Sequence, residues 1–477
     1  MPSPSRRNFL SAGAGAAAFA ARPAAAQVPL DRLQKAQRIL LKGGIVFSLD
    51  SNVGDFERAD VLIDGQKIAA IAPSIPASSA VTVDATGMIV MPGFVDTHHH
   101  QYETLMRSIL SDGNLGTYRD APKNYLSVIQ GILTPAYLPD DAYISELVAS
   151  LSQLNAGVTT TVDLSQVSHT PAHSDACIAG LKESGRRAVY SYSAGVKGTQ
   201  FPQDVTRIKA QYFSSNDQLV TLALNTGTNA EHWKLARSLG LPITSHIVGD
   251  ASGAFERMGR DGLMGPDNEY VHCTNLNENV WKMIRDSGGK LSIAPAIEMQ
   301  MRHGMPPFQT ALDHGIRPSL SVDVECNMTA DMFSIMRAAF TLQRALANER
   351  AVTGEKDVPR LLTCRDTLEL ATIEGARVAH LDHKIGTLTP GKEADIILLA
   401  TDRINVFPMN NVPGTVVTMM DTSNVEHVFV AGKVRKWQGR LVGVDLPRLR
   451  RHIETARDGL LQRAKYPRDL FGSCCAV

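Results

Sequence analysis

Hydrophobic and polar positions change their pattern twice along the chain. Residues 38–90 alternate short apolar runs with Gly, Asp and Pro, which is typical of strands joined by tight turns. The predicted strands there are residues 39–47, 59–63, 67–71, 81–83 and 88–90. The same pattern returns after Gly386, with further strands predicted at residues 428–430 and 433–437. We expect the two β segments to fold together as one small sandwich.

Between these segments, short apolar strands alternate with longer amphipathic stretches. The predicted strands end at His100, Leu164, Ser193, Asn225, His246, His272, Ala294 and Asp323. Each is followed by a segment with helical periodicity. Eight such alternations over roughly 290 residues predict an α/β fold, a (β/α)₈ barrel, with the small β-sandwich split around it.

These changes of pattern also predict the domain limits. The composite sandwich takes residues 27–92 and 385–445, the barrel takes residues 93–384, and a C-terminal helix and tail take residues 446–477. The basic stretch of that helix, residues 448–465, is typical of a solvated face.

Residues 1–26 have the order of an export signal. Arg6 and Arg7 precede an apolar run rich in Ala and Gly, and three small residues, 24–26, follow. The segment resembles a twin-arginine signal, which implies the twin-arginine export machinery as a partner and a periplasmic or secreted protein. The apolar run of about 11 residues is too short to anchor the chain in a membrane.

Composition removes several functional classes. The chain has 48 basic and 48 acidic residues, and this balance disfavours a nucleic-acid partner because phosphate binding needs a surplus of Lys and Arg. A hydrophobic share of 44% excludes a disordered chain. The six Cys have no repeated spacing, so they predict neither a disulfide framework nor a cysteine zinc site.

The chemistry lies at the predicted strand ends, where the working residues of a barrel are found. The first strand ends in His98-His99-His100, and a period of two places His98 and His100 on one face with His99 opposite. His246, His272 and Asp323 end three further strands. Imidazole and carboxylate groups converging on one mouth predict a site for a divalent transition metal.

At these residues the sequence resembles the amidohydrolase superfamily, in particular its cytosine deaminase and triazine hydrolase branch. The resemblance rests on Asp84-Ala-Thr-Gly87, Pro92 to His100, Gly157-Val-Thr-Thr, His246, His272, Ser321-Val-Asp323 and Gly391 to Asp395. It implies a hydrolase that acts on a small molecule, and a homodimer.

The resemblance also implies roles for individual residues. One divalent metal would be bound by His98, His100, His246 and Asp323, with zinc as the first choice and iron, manganese or cobalt compatible with the same ligands. Asp323 would also accept a proton from the attacking water. His272 would polarise the substrate or stabilise the tetrahedral intermediate.

Two departures from the family pattern bear on the reaction. The predicted fourth strand ends in Asn225 and has no Lys to bridge two metals, which favours a single ion. The place three residues after His246, where heterocycle deaminases carry Glu, holds Gly249, although Asp250, Glu298 or Glu103 could supply an acid instead. We therefore expect hydrolysis of an amide, urea, carbamate or thiocarbamate, similar to the molinate and phenylurea hydrolases. Deamination of a purine, pyrimidine, pterin or triazine is the alternative.

Four residues are candidates for substrate contact. Asn225 would face the pocket, and Glu298 would contact the substrate or transfer a proton. His169 lies on a loop facing the mouth, and Asp163 follows the second predicted strand. For the last two, a structural role in the loop or as a buried cap is the competing interpretation.

Overall fold

The computed structural model describes residues 28–76, 78–116, 123–196, 200–215, 217–248 and 251–472. The predicted export signal, Gly249 with Asp250, and Cys474 with Cys475 lie outside them. The strands are β1 Arg38–Val46, β2 Phe56–Asp64, β3 Lys67–Ala72, β4 Val81–Asp84, β5 Met88–Pro92, β6 Phe94–His99, β7 Val158–Ser165, β8 Arg187–Tyr192, β9 Val220–Asn225, β10 Ile243–Ile247, β11 Asn268–His272, β12 Lys290–Ile293, β13 Ser319–Leu320, β14 Ile396–Ala400, β15 Val425–Val430, β16 Lys433–Trp437 and β17 Arg440–Leu441.

The α-helices lie mainly between the strands of the middle segment. They are α1 Leu30–Gln34, α2 Pro139–Asn155, α3 Pro171–Ser184, α4 Val205–Tyr212, α5 Ala230–Ser238, α6 Ser252–Arg260, α7 Glu278–Ser287, α8 Pro295–Gln300, α9 Phe308–Asp313, α10 Met332–Val352, α11 Cys364–Leu370, α12 Ile373–Val378, α13 Val412–Gly414 and α14 Leu446–Ala464. Short 3₁₀ segments occur at Gln101–Met106, Thr134–Ala136 and Thr422–Asn424, and π-helical segments occur at Leu126–Leu133 and Thr415–Met419. No described helix combines the length and apolarity needed to cross a membrane.

Strands β6 to β13 pair in chain order as a parallel sheet, which confirms the predicted barrel. The sheet closes where the segment after β13 meets the end of β6: the Asp323 N–H donates to the His98 carbonyl at 2.9 Å, and the His100 N–H donates to the Asp323 carbonyl at 2.8 Å. The first and last strands of the barrel therefore meet at the predicted metal ligands.

The barrel strands are buried on both faces, as expected when helices cover a parallel sheet. All eight residues of β7 are buried. Small hydroxyl side chains fill part of the interior and bond to one another, with Thr97 Oγ1 lying 2.7 Å from Ser292 Oγ and 2.6 Å from Ser319 Oγ. These paired hydroxyls satisfy the buried polar atoms beneath the site.

Helix α7 shows how the sequence builds the outer layer. The Asn277 side chain accepts from the Val280 N–H at 3.0 Å and caps the start of the helix. Val280, Trp281 and Ile284 are the buried residues of its apolar stripe. Gly288, with φ of 72°, ends the helix in the left-handed conformation that glycine favours.

The second sheet contains strands from both ends of the chain, which confirms the predicted split sandwich. Strand β5 pairs antiparallel with β14, and β1 pairs with β2, β4 and β5. The buried Arg187 of β8 joins this unit to the barrel: its Nε donates to Asp395 Oδ2 at 2.9 Å and its Nη2 donates to Glu393 Oε2 at 2.5 Å. The motif at residues 391–395 therefore supplies the carboxylates that connect the two units.

Candidate metal centre

Strand β6 and the residue after it separate the three histidines as a period of two requires. His98 Nε2 lies 2.9 Å from Asp323 Oδ1, and His100 Nε2 lies 3.6 Å from the same oxygen. His99 points to the other side, where its Nδ1 lies 3.5 Å from Asp96 Oδ2. The structure thus brings His98, His100 and Asp323 together and excludes His99.

His246 completes this group from strand β10. Its Nε2 lies 3.2 Å from His100 Nε2, and the two rings stack with centroids 5.1 Å apart. Asp323 reaches the group from the turn after β13, where its φ of 65° places a non-glycine residue in the left-handed region. Backbone strain of this kind is found where a side chain must be aimed at a site.

The protonation of these residues fits a metal. Burial is the main cause that lowers the pKa of His98, to about 3, and it also lowers the pKa values of His100 and His246. His100 Nδ1 lies 2.8 Å from the Leu164 carbonyl, so this nitrogen carries the hydrogen and Nε2 keeps its lone pair. Three neutral imidazoles and one carboxylate are a ligand set for a divalent transition metal.

His272, at the end of β11, lies beside these four residues. Its Nδ1–H donates to Glu298 Oε1 at 2.9 Å, which directs Nε2 to within 3.7 Å of Asp323 Oδ2. Burial lowers the pKa of His272, but the charge of Asp323 and the bond to Glu298 outweigh it and raise the pKa. His272 is therefore prepared to donate from Nε2 to charge that develops on a substrate. We call His98, His100, His246, His272 and Asp323 the histidine cluster.

Two cavities meet at the histidine cluster, sharing Gln166 and His246. The first, of about 510 Å³, has largely apolar walls that include Leu115, Met301 and Val324. The second, of about 520 Å³, is lined by hydroxyl and amide groups, namely Ser193, Asn225, Thr226, Thr228 and Asn229. Both volumes fall within the range of small-molecule sites.

The sequence profile of the amidohydrolase family matches residues 89–435. The chain belongs to the amidohydrolase family. The protein is accordingly a metal-dependent hydrolase that acts on a C–N bond.

Sequence relatives match almost from end to end. The chain is 26% identical over 450 residues to 5'-deoxyadenosine deaminase of Methanosarcina mazei, covering 89% of this chain and 99% of the relative. It is 27% identical over 450 residues to 5-methylthioadenosine/S-adenosylhomocysteine deaminase 1 of Syntrophus aciditrophicus, covering 88% and 98%.

Solved structures share the fold. An adenosine deaminase from Xanthomonas campestris with bound zinc has a TM-score of 0.76 at 22% identity, covering 89% of this chain and 98% of the other. A variant of atrazine chlorohydrolase from Arthrobacter aurescens, complexed with zinc and atraton, has a TM-score of 0.77 at 21% identity, covering 88% and 100%.

Of the four candidates for substrate contact, one lines a cavity and three do not. Asn225 lines the second cavity and donates from Nδ2 to Ser193 Oγ at 2.8 Å. The other three residues line neither cavity. Glu298 is buried behind His272, and His169 Nε2 lies 2.9 Å from the Thr134 carbonyl.

Asp163 belongs to a separate buried group around Arg186. Arg186 donates to the side-chain carbonyls of Gln101 and Gln153 and, at 3.2 Å, to Ser150 Oγ. The carboxyl groups around it belong to Asp96, Glu146 and Asp163. Gln101 follows His100 directly, so this group lies next to the predicted metal ligands. We call Arg186, Asp96, Glu146 and Asp163, with the two glutamines, the arginine cluster.

His303 is a site residue that sequence reasoning missed. It lines the first cavity, and its ring stands edge-on to that of His272 with centroids 4.8 Å apart. It lies in the turn after α8, where no strand or helix periodicity predicts which way a side chain points. Only the position of α8 after β12 brings it to the site.

Proposed function

We propose that this amidohydrolase is an aminohydrolase that releases ammonia from an aminated heterocycle of the purine class. The observation that carries the proposal is the near full-length similarity to deaminases of 5'-deoxyadenosine and 5-methylthioadenosine. The site supports it too, because His272, held by Glu298, places a donor nitrogen 3.7 Å from the Asp323 carboxylate, so donor and carboxylate face the same point of the cavity.

The residues divide the work of such a reaction. His98, His100, His246 and Asp323 would hold a divalent ion, which would supply Lewis acidity and would lower the pKa of a bound water from 15.7 to about 7. Asp323 takes a proton from the attacking water and returns it to the leaving amine. His272, protonated on both ring nitrogens, donates from Nε2 to charge that develops on the substrate, while Glu298 accepts from Nδ1 and holds the ring in position.

The shapes of the two cavities also support a nucleoside-like substrate. The apolar cavity next to His272 suits a flat heterocycle, and the second cavity offers hydroxyl and amide groups to a polar substituent. His246 lies between them, so a molecule spanning both would hold its base over the metal ligands.

One observation favours a second candidate, hydrolysis of an amide, urea, carbamate or thiocarbamate. Gly249 occupies the place three residues after His246 and offers no acid for a ring nitrogen. Hydrolysis of an acyclic C–N bond has no ring nitrogen to protonate.

A product assay separates the two candidates. Zinc-loaded protein is incubated with adenosine, 5'-deoxyadenosine and 5-methylthioadenosine in one series, and with anilides, phenylureas and thiocarbamates in the other. We expect ammonia from the first series and none from Asp323→Asn, which keeps the side-chain volume but removes the charge. Release of an aniline or amine from the second series, without ammonia from the first, would establish the second candidate.

We propose in addition that the protein is exported through the twin-arginine pathway and forms a homodimer. Replacement of Arg6 and Arg7 by Lys tests the first point, with accumulation of unprocessed protein inside the cell as the expected result. Light scattering of the purified protein tests the second, and a monomer mass would contradict it.

A further inference from the structure

His303 carries a buried polar group that the reaction described above does not use. The side chain is 5% exposed, and neither ring nitrogen has a hydrogen-bond partner among the described residues. Buried polar atoms in folded proteins nearly always have partners, so an unpaired imidazole on a cavity wall indicates a partner that arrives with a ligand.

The surroundings of His303 define what that partner is. The cavity walls include the apolar side chains of Leu115, Met301 and Val324. Three further polar side chains on the walls, Tyr125, Gln130 and Gln166, bond to one another. Burial is the main cause that lowers the pKa of His303, to about 3, so the ring is neutral, with one nitrogen donating and the other accepting. A neutral polar atom within a flat apolar molecule suits this position.

The position of His303 relative to His272 indicates which atom of the substrate His303 contacts. A nitrogen of each ring and an oxygen of Asp323 lie within 4.8 Å of one another. If His272 and Asp323 face the reacting carbon, His303 faces an atom bonded to that carbon. The backbone holds His303 there, since its N–H donates to the Glu298 carbonyl at 3.0 Å.

We propose that His303 is a substrate-binding residue that donates a hydrogen bond to the ring nitrogen next to the carbon that loses the amine. This inference rests on the proposed function and deepens it: His303 selects heterocycles with such a nitrogen and stabilises the charge that collects there when water adds to the carbon. It also supplies a hydrogen-bond donor in a site where the place three residues after His246 holds Gly249.

Binding of two probes tests the inference without turnover. Purine riboside carries the ring nitrogen, and its 1-deaza analogue has a C–H group in its place. Calorimetry on zinc-loaded wild type is expected to show about 5-fold weaker binding of the deaza probe, because a hydrogen bond of average strength contributes that factor. In His303→Leu the two probes should bind within about twofold of each other, and His303→Gln, which keeps a donor, should recover part of the preference.

Other outcomes overturn the inference. An unchanged preference for purine riboside in His303→Leu would show that another group contacts the nitrogen, and failure of both probes to bind wild type would exclude the substrate class. A metal content of two ions per chain that falls to one in His303→Leu would make His303 a metal ligand instead. Ammonia release with no His303-dependent preference contradicts this inference alone. A His303-dependent preference without ammonia release contradicts only the proposed function.

Discussion

The barrel buries charge in two ways at two adjacent places. The arginine cluster holds a permanent cation, Arg186, among the carboxyl groups of Asp96, Glu146 and Asp163. The histidine cluster surrounds the carboxylate of Asp323 with imidazoles, three of them neutral, and opens to a cavity. The histidine cluster lies at or just after the carboxyl ends of barrel strands, whereas Arg186 precedes β8 and Glu146 lies on α2.

The difference between the clusters indicates a structural role for the arginine cluster and a chemical role for the histidine cluster. The cation of the arginine cluster is part of the chain, and burial lowers its pKa only to about 10, so it remains charged at neutral pH. The histidine cluster offers lone pairs to a cation that must come from outside. Removal of a group from the first should therefore affect folding, and removal from the second should affect metal binding and turnover.

The largest expected effect is loss of a metal ligand. His98→Asn should lower the metal content to well under one ion per chain and reduce turnover by at least about 1000-fold, as removal of an essential catalytic group does. Its neighbour His99→Asn is the matched control and should retain metal, because His99 points away from the cluster. Metal analysis of both variants provides the measurement, and full occupancy in His98→Asn would contradict the ligand assignment.

The next effect concerns the arginine cluster. Arg186→Met should lower the free energy of unfolding by about 3–5 kcal/mol, because buried carboxyl groups lose their cation. Urea unfolding of the metal-free protein measures it. Arg207→Met is the control: Arg207 pairs with Asp175 and Asp204 on the surface, and its loss should cost about 1 kcal/mol or less. Equal losses in the two variants would remove the distinction between the clusters.

Glu298→Gln should act on turnover while leaving both folding and metal content intact. Glutamine keeps the shape but no longer holds His272 through a charged acceptor, and loss of such an orienting carboxylate typically costs about 10–100-fold in activity. The fall should appear in kcat. The basic side of the pH profile should also change, because Glu298 no longer raises the pKa of His272. An unchanged profile would show that Glu298 does not act through His272.

Stability should depend on pH through the arginine cluster. Burial raises the pKa of Asp163, so the folded chain holds a proton that the unfolded chain releases above about pH 4. The stability contributed by this proton is present at acid pH and is lost as pH rises through the folded pKa. Urea midpoints of metal-free protein between pH 4 and 8 should therefore fall less steeply in Asp163→Asn than in wild type, and parallel curves would contradict the prediction.

The smallest effect is expected at His169. Its Nε2 bonds to the Thr134 carbonyl behind the cavity walls, so His169→Ala should cost about 1 kcal/mol of stability and change kcat/KM by less than about twofold. A large rise in KM with unchanged stability would instead restore His169 as a substrate contact.

The ligand positions were predictable because two simple rules apply to them. The period of a strand separates His98 and His100 from His99, and parallel strands in a barrel carry their carboxyl ends to one mouth. The predicted strand ends at Asn225 and His272 match those observed. Strand β13 is shorter than predicted, ending at Leu320, because Asp323 turns into the left-handed region to reach the site.

Contacts that depend on how loops and helices pack could not be predicted in the same way. Nothing in the local sequence shows that Glu298, on the six-residue helix α8, reaches back to His272, or that His303 enters the cavity. Asp163 lies beside Arg186 because alternate residues of a strand point to opposite faces. The side chain of Asp163 points away from the pocket, into the layer behind the strand. These outcomes follow from tertiary packing, which periodicity does not record.

The closure of the barrel has a consequence for how the protein matures. Residues 225 positions apart, His98 and Asp323, join the first and last strands, and both are predicted metal ligands. A chain whose ends have not met has no complete coordination shell, so retention of the ion reports that the ring has closed. After chelation of the ion, amide hydrogen exchange should accordingly rise first where β6 meets the segment after β13, because the residues that close the barrel there are also the predicted metal ligands.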